Sequence, residues 1–161
     1  MKLLKRQLTP YPNSGSGAVS APDINHFDRI SAGALKITLN ISGTVSKGQE
    51  VAITSNGTIV GRGATLTVRP IGICLEGNDL NTAATTAAII PYADLIINGV
   101  AKGATLAVGA LVTQDNTRNS TSNGWNYITA TTGNYATGIV IDGNTAGNPI
   151  KVLSLPQPIV I

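Results

Sequence analysis

His26 is the only side chain whose ordinary pKa suits a general base near neutrality, and Cys74 is the only thiol. His26 stands between Asp23 and Asp28 in a proline-rich stretch. Catalysis of the serine–histidine type would need a serine on a strained turn beside an oxyanion hole, and no Gly-x-Ser-x-Gly occurs. His26 therefore reads as a surface or capping residue. Cys74 lies between Ile73 and Leu75 in an apolar run and reads as a small core residue. The eight carboxylates are scattered. Glu76 and Asp79 are the closest pair in the β-patterned part, at a position where a turn follows a strand. Asp142-Gly143-Asn144 lacks the remaining ligands of a calcium loop. Gly61-Arg62-Gly63 opens like a dinucleotide fingerprint but lacks the third glycine and lies among strands. One His and one Cys cannot supply a zinc cluster of N and S ligands. These residues predict no catalytic group, no cofactor site and no metal site, and a protein that is not an enzyme.

Binding chemistry is equally sparse. Sheets that read nucleic acid stack bases on exposed aromatics beside a basic groove. The aromatics are Tyr11, Phe27, Tyr92, Trp125, Tyr127 and Tyr135, and only Tyr11 lies near a basic cluster, Lys5 and Arg6. The net charge of +3 comes from 11 basic and 8 acidic residues, too weak a field to argue for a nucleic acid partner. A carbohydrate-binding or hydrolytic β domain would need a concave aromatic or carboxylate cluster, and Trp125, Tyr127 and Glu76 are the only material for one. Apolar runs such as Ala87–Ile90 fall far short of the roughly 20 residues of a membrane-spanning helix. The apolar stretch behind Met1-Lys2 is too short for an export signal. No nucleic acid, membrane or small-molecule substrate is expected as a partner.

The elements that must position these residues are strands. Leu35, Ile37 and Leu39 alternate with Lys36, Thr38 and Asn40, which is the period of a half-buried strand. Gln49–Thr54 and Ile59–Val60 flank Asn56-Gly57, a hairpin signal for a type I′ turn. Ala64–Arg69 and Ile71–Leu75 continue the pattern around Pro70, followed by Ala88–Ile90, Asp94–Val100, Thr105–Val108 and Leu111–Gln114. The last strands are Trp125–Ala130, Thr137–Asp142 and Pro149–Leu155. Residues 80–88 are the one plausible short helix, and Asp115–Gly124 reads as a polar hairpin tip. About ten short strands at close spacing predict an all-β fold, a small barrel or sandwich. Pro156 and Pro158 bar the C-terminal end from a central strand, and Ile159, Val160 and Ile161 need cover from this subunit or another.

Residues 1–30 differ in kind. Pro10, Pro12 and Pro22 surround a linker-like Asn13–Gly17, and no apolar period runs through the segment. It reads as an extended N-terminal arm preceding a single domain over residues 31–161. Four basic residues against two acidic ones give the arm +2 of the total charge. The body carries little charge: 12% of the whole chain is charged while 42% is hydrophobic, so its polar surface is mostly neutral. Such a surface suits contact with other proteins, because few ions lose water on association.

Three stretches carry a resemblance. They are Lys102–Thr113, Tyr135–Gly147 and Pro149–Leu155. A Gly-initiated strand, a turn of the Gly-x-Ala-x-Asp…Ala-Gly type and a final apolar strand are the pattern. Ile139-Val140-Ile141-Asp142 stands in its middle, with Val140 at the small-residue position. The chain here resembles the head decoration, or capsid cement, proteins of tailed phages. The resemblance implies a β-barrel or β-tulip body, usually trimeric, made in the host cytoplasm and placed on the outer capsid surface of a virion. It implies the major capsid protein as partner and a clamp between capsomers as function. Lys2, Leu3, Leu4, Lys5, Arg6 and Tyr11 of the arm are then the expected capsid contacts, and Ile159, Val160 and Ile161 the expected subunit contacts. Another virion part, such as a head-fibre base or tail adaptor, fits the same features.

Overall fold

The computed structural model describes residues 27–29, 36–62, 66–79, 83–92, 95–122 and 124–161. Among them are eleven strands and no helix, so the all-β expectation holds. The capsid contacts expected in the arm, Lys2, Leu3, Leu4, Lys5, Arg6 and Tyr11, and His26 beside them, lie outside the described residues. The last residues assigned to the arm, Phe27–Arg29, form β1, which pairs antiparallel with Leu95–Ile97.

The larger sheet closes on itself. It contains β7 (Leu95–Ala101), β8 (Leu111–Arg118), β9 (Trp125–Thr129), β10 (Tyr135–Asp142) and β11 (Pro149–Val160). Antiparallel pairings run β7–β11–β10–β8–β9. A parallel pairing of Val100 with Asn126 and Ala101 with Tyr127 returns β9 to β7. The five strands thus form a ring, a closure that leaves no long open edge. Leu95, Ile97, Val112, Tyr127, Val140, Ile150 and Val152 fill one cluster with Trp125 and Leu106. Gly99 is required there: a Cβ on it would run into the Tyr127 ring.

The second sheet has the order β2 (Ile37–Asn40), β6 (Thr86–Pro91), β5 (Gly72–Glu76), β3 (Glu50–Ile53), β4 (Ile59–Gly61). Its middle strands are covered on both faces. Ile73 and Ile90 join the cluster of the ring, while Cys74, Ala87 and Ile89 join a second cluster with Val45, Val51 and Ile59. Successive strand residues point to opposite faces, so a strand between two cores must be apolar at consecutive positions. The runs Ile71–Leu75 and Ala87–Ile90 have that composition.

Several local expectations are corrected. The helix expected over residues 80–88 is absent from its described part: Ala83 lies in a turn and β6 begins at Thr86. Two β-branched threonines, Thr85 and Thr86, lower helix propensity, and Ala87 and Ile89 gain apolar burial as strand residues. The hairpin at Asn56-Gly57 is not a type I′ turn. Gly57 has φ +76° while Asn56 keeps a negative φ, Gly57 N donates to Thr54 O, and Thr54 N donates to Thr58 O. That is a type I turn followed by a left-handed glycine, a three-residue loop. Leu66–Val68 is a turn rather than a strand, and the Thr105–Val108 strand shrinks to one bridge, Leu106 with Asn144. The hairpin tip is shorter than residues 115–124, because β8 runs to Arg118. The C-terminal end continues β11 through Val160, but with a bulge: Leu155–Pro158 stand opposite Thr137 alone. Both prolines thereby avoid ladder positions.

Candidate functional site

The residues considered for chemistry do not converge. Cys74 is fully buried, and desolvation, reinforced by Asp79, pushes its thiol up to about 12. A thiol held protonated at neutral pH is no nucleophile. Glu76 is exposed and pairs with Lys36 at 3.3 Å, whereas Asp79 pairs with Arg118, so the two carboxylates serve different partners. Trp125 and Tyr127 are buried, which removes the aromatic platform a sugar would stack on. No group of three or more His, Cys, Asp or Glu that could hold a metal occurs among the described residues.

Where the two sheets meet there is a buried polar seam. Its centre is Glu50 on β3 and Arg62 just past β4, whose side chains are each 1% exposed and joined at 2.5 Å. Arg62 Nη1 also donates to Thr113 Oγ1 on β8 at 2.7 Å, and Nη2 donates to Leu66 O at 2.5 Å and to Tyr135 O at 3.5 Å. One guanidinium thus holds a strand of the small sheet, the turn at residue 66 and two strands of the ring. Gln114 extends the seam. Its Oε1 accepts from Glu50 N at 2.9 Å, and its Nε2 donates to Gly48 O and to the Tyr127 hydroxyl. Gln49 Nε2 donates to Asn116 Oδ1 across the same junction. Burial raises the Glu50 carboxyl above its ordinary value, and the Arg62 charge works against that rise. Tyr92 and Tyr127 are likewise held protonated by burial and by the neighbouring Glu50. Glu50 Oε1, Arg62 Nε and the Tyr92 hydroxyl complete no hydrogen bond among the described residues. With almost no side-chain exposure, the seam can join sheets but cannot receive a substrate.

Sequence reasoning missed this seam. Gly61-Arg62-Gly63 opens like a dinucleotide fingerprint, which points away from a buried ion pair. The available signal was the glycine at 61, which leaves room where a Cβ would collide with the Gln49 side chain, and Glu50 at the head of an apolar strand.

The surface carries two other features. One is a shallow cleft of about 300 Å³ whose lining includes Lys102, Gly103, Arg118, Asn119, Ser120 and Gly147. The other is an apolar strip at the C-terminus. Ile159 is 45% exposed, Val160 58% and Ile161 38%. Val160 pairs with Tyr135, and Ile161 exchanges backbone hydrogen bonds with Gly133 and Asn134. The strip is therefore held in place although its side chains meet solvent. Tyr135 N donates to Leu66 O, which brings the turn bearing exposed Val68 to the same end of β10. The chain matches no protein-family model and no curated protein.

Proposed function

We propose that the protein is a structural component of a virus particle, a head decoration protein that binds the outer surface of a tailed-phage capsid and clamps neighbouring capsomers. The observation that carries this reading is the ordered apolar strip Ile159–Ile161 on a body whose reactive groups are sealed inside. Fixed apolar side chains in water favour burial against another protein surface, at about 25 cal/mol per Å² removed from solvent. A second copy of the chain covers them in this reading, giving a homotrimer. The basic, proline-rich arm then reaches the major capsid protein, with Leu3, Leu4 and Tyr11 supplying apolar contact and Lys2, Lys5 and Arg6 pairing with carboxylates. Exposed ion pairs contribute only about 0–1 kcal/mol each, so the apolar groups dominate. Three arms on one trimer multiply weak contacts into high avidity. The work asked of such a protein is burial and backbone pairing, which its scarcity of reactive residues allows.

Light scattering behind size exclusion tests the assembly, where a mass of three chains of 16.5 kDa is expected. Co-sedimentation with undecorated phage heads tests the partner. A protein that stays monomeric at high concentration and also fails to pellet with heads defeats the reading.

A further inference from the structure

The cleft beside the β8–β9 hairpin is electrostatically one-sided. Its charged lining residues are Lys102 and Arg118, both cationic. The carboxylates that balance them sit outside the lining and deeper. The Lys102 side chain is 47% exposed and its partner Asp115 10%; Arg118 is 31% exposed and its partner Asp79 21%. Each cation is held from behind. Lys102 Nζ donates to Asp115 and to Thr117 Oγ1. Arg118 Nη2 donates to Asp79 and to Lys47 O, with its guanidinium 4.9 Å from the centre of the Trp125 ring. All these Arg118 bonds leave from Nη2, so Nη1 and Nε have no hydrogen-bond partner among the described residues.

The neutral lining adds donors. Asn119 Oδ1 accepts from Thr121 N, Ser122 N and Ser122 Oγ, which fixes the side chain and leaves its Nδ2 as the group to give. Ser120 is exposed beside it. The backbone below is shaped for the task. Between Gln114 and Arg118 the β8 strand carries two residues more than its partner, and Asn116 in that bulge has φ +63°. Non-glycine residues reach that conformation at a cost, and such outliers gather where a side chain must be aimed. Here the bulge lets Asp115 Oδ1 accept from Thr117 N and Thr117 Oγ1 while its other oxygen grips Lys102.

From this we infer that the cleft is an oxyanion-binding site that takes the carboxylate of an acidic side chain on a partner protein. Two pre-positioned cations with a neutral amide beside them are what recognise a carboxylate, and charge-assisted bonds supply the strength. The lining draws on none of the strip residues Ile159–Ile161, so the site stands or falls apart from the virion reading.

The test is a titration of the ¹⁵N-labelled full chain, followed by amide shifts, with a short acetylated Gly-Asp-Gly peptide at low ionic strength. Inorganic phosphate and an acetylated Gly-Asn-Gly peptide are the other two arms. Shifts at Lys102, Gly103, Asn119, Ser120 and Gly147 with the Asp peptide, and none with the Asn peptide, are expected. Lys102→Met should weaken the binding roughly tenfold, as losing a charge-assisted bond does, and so should Arg118→Gln. Should Arg118→Gln disturb the hairpin, Lys102→Met alone decides. Shifts with phosphate but not with the Asp peptide would show a site for free oxyanions and overturn the protein partner. No shift with any probe, or Asp-peptide shifts unchanged in Lys102→Met, overturns the site itself.

Discussion

Glu50–Arg62 and the Lys102/Arg118 cluster use the same pairings of cation and carboxylate at opposite extremes of burial. In the seam both partners are withdrawn from water, and the guanidinium bonds to three strands of two sheets and to the turn at Leu66. At the cleft the carboxylates are tucked in and the cations face out. Desolvation makes the first pair irreplaceable singly, because losing one partner strands a buried charge. Solvent makes the second pair weak and leaves its cations available. The comparison separates groups that build the molecule from groups that present it.

The largest effect is expected from Arg62→Met. It should cost about 3–5 kcal/mol of unfolding free energy near pH 8, read from urea midpoints. The loss should shrink as pH falls. Glu50 already has a folded pKa raised above its ordinary 4.5 by burial, and removing Arg62 removes the opposing charge. A carboxyl with a raised folded pKa binds its proton more tightly in the native state, so its stabilising share is complete below 4.5 and is lost as pH rises through the raised value. A penalty that is small, or that does not grow as pH rises above 4.5, contradicts the assignment of the seam as a buried ion pair. The double replacement Glu50→Leu/Arg62→Met should recover most of the loss, since it removes both charges together.

Next in size is Gln114→Leu. It leaves Glu50 N and Gly48 O unpaired inside the protein, at a cost of about 1–3 kcal/mol. A change below about 0.5 kcal/mol would mean that the seam tolerates gaps and that Arg62 alone joins the sheets.

The strands and their apolar faces were readable from period and punctuation, and the reasons for the exceptions are physical. Cys74 and the Ile71–Leu75 run could be placed in a core because a strand covered on both sides needs no polar alternation. The helix expected over residues 80–88 misled, because Ala-rich composition speaks for a helix in isolation while Ala87 and Ile89 are decided by cross-strand neighbours far along the chain. The seam left only a faint trace in the sequence, Gly61 and Glu50 at the head of an apolar strand, and its other partners left none. Glu50 and Arg62 are 12 positions apart, but Thr113, Gln114 and Tyr135 are brought to them by the closing of a ring whose order departs from chain order. The cleft is hidden for the same reason: Lys102, Arg118 and Gly147 meet only after β9 returns to β7. The apolar C-terminus, by contrast, was visible as three consecutive residues, and only their placement on β10 needed the fold.

At the cleft the expected stability effect is small. Asp115→Asn should cost no more than about 1 kcal/mol, since Lys102 is half exposed, and raising the salt concentration should shrink that cost further by screening. A loss as large as that of Arg62→Met would erase the contrast between the two clusters.

The smallest effect on folding, and the sharpest on assembly, belongs to Val160→Lys. Val160 sits on the strand end that pairs with Tyr135 and is 58% exposed, so a lysine there loses little packing and keeps its backbone bonds. Unfolding free energy should stay within about 0.5 kcal/mol of the parent, as for surface changes generally. If the strip is a contact between copies, however, the same lysine places one charge per subunit in an apolar interface without a partner. Burying an unpaired ammonium costs far more than the valine contributed, so the scattering mass should fall to that of one chain while the β signature in circular dichroism is kept. A variant that keeps the parent's assembled mass would remove the strip from the interface and leave the surface of the ring to supply it.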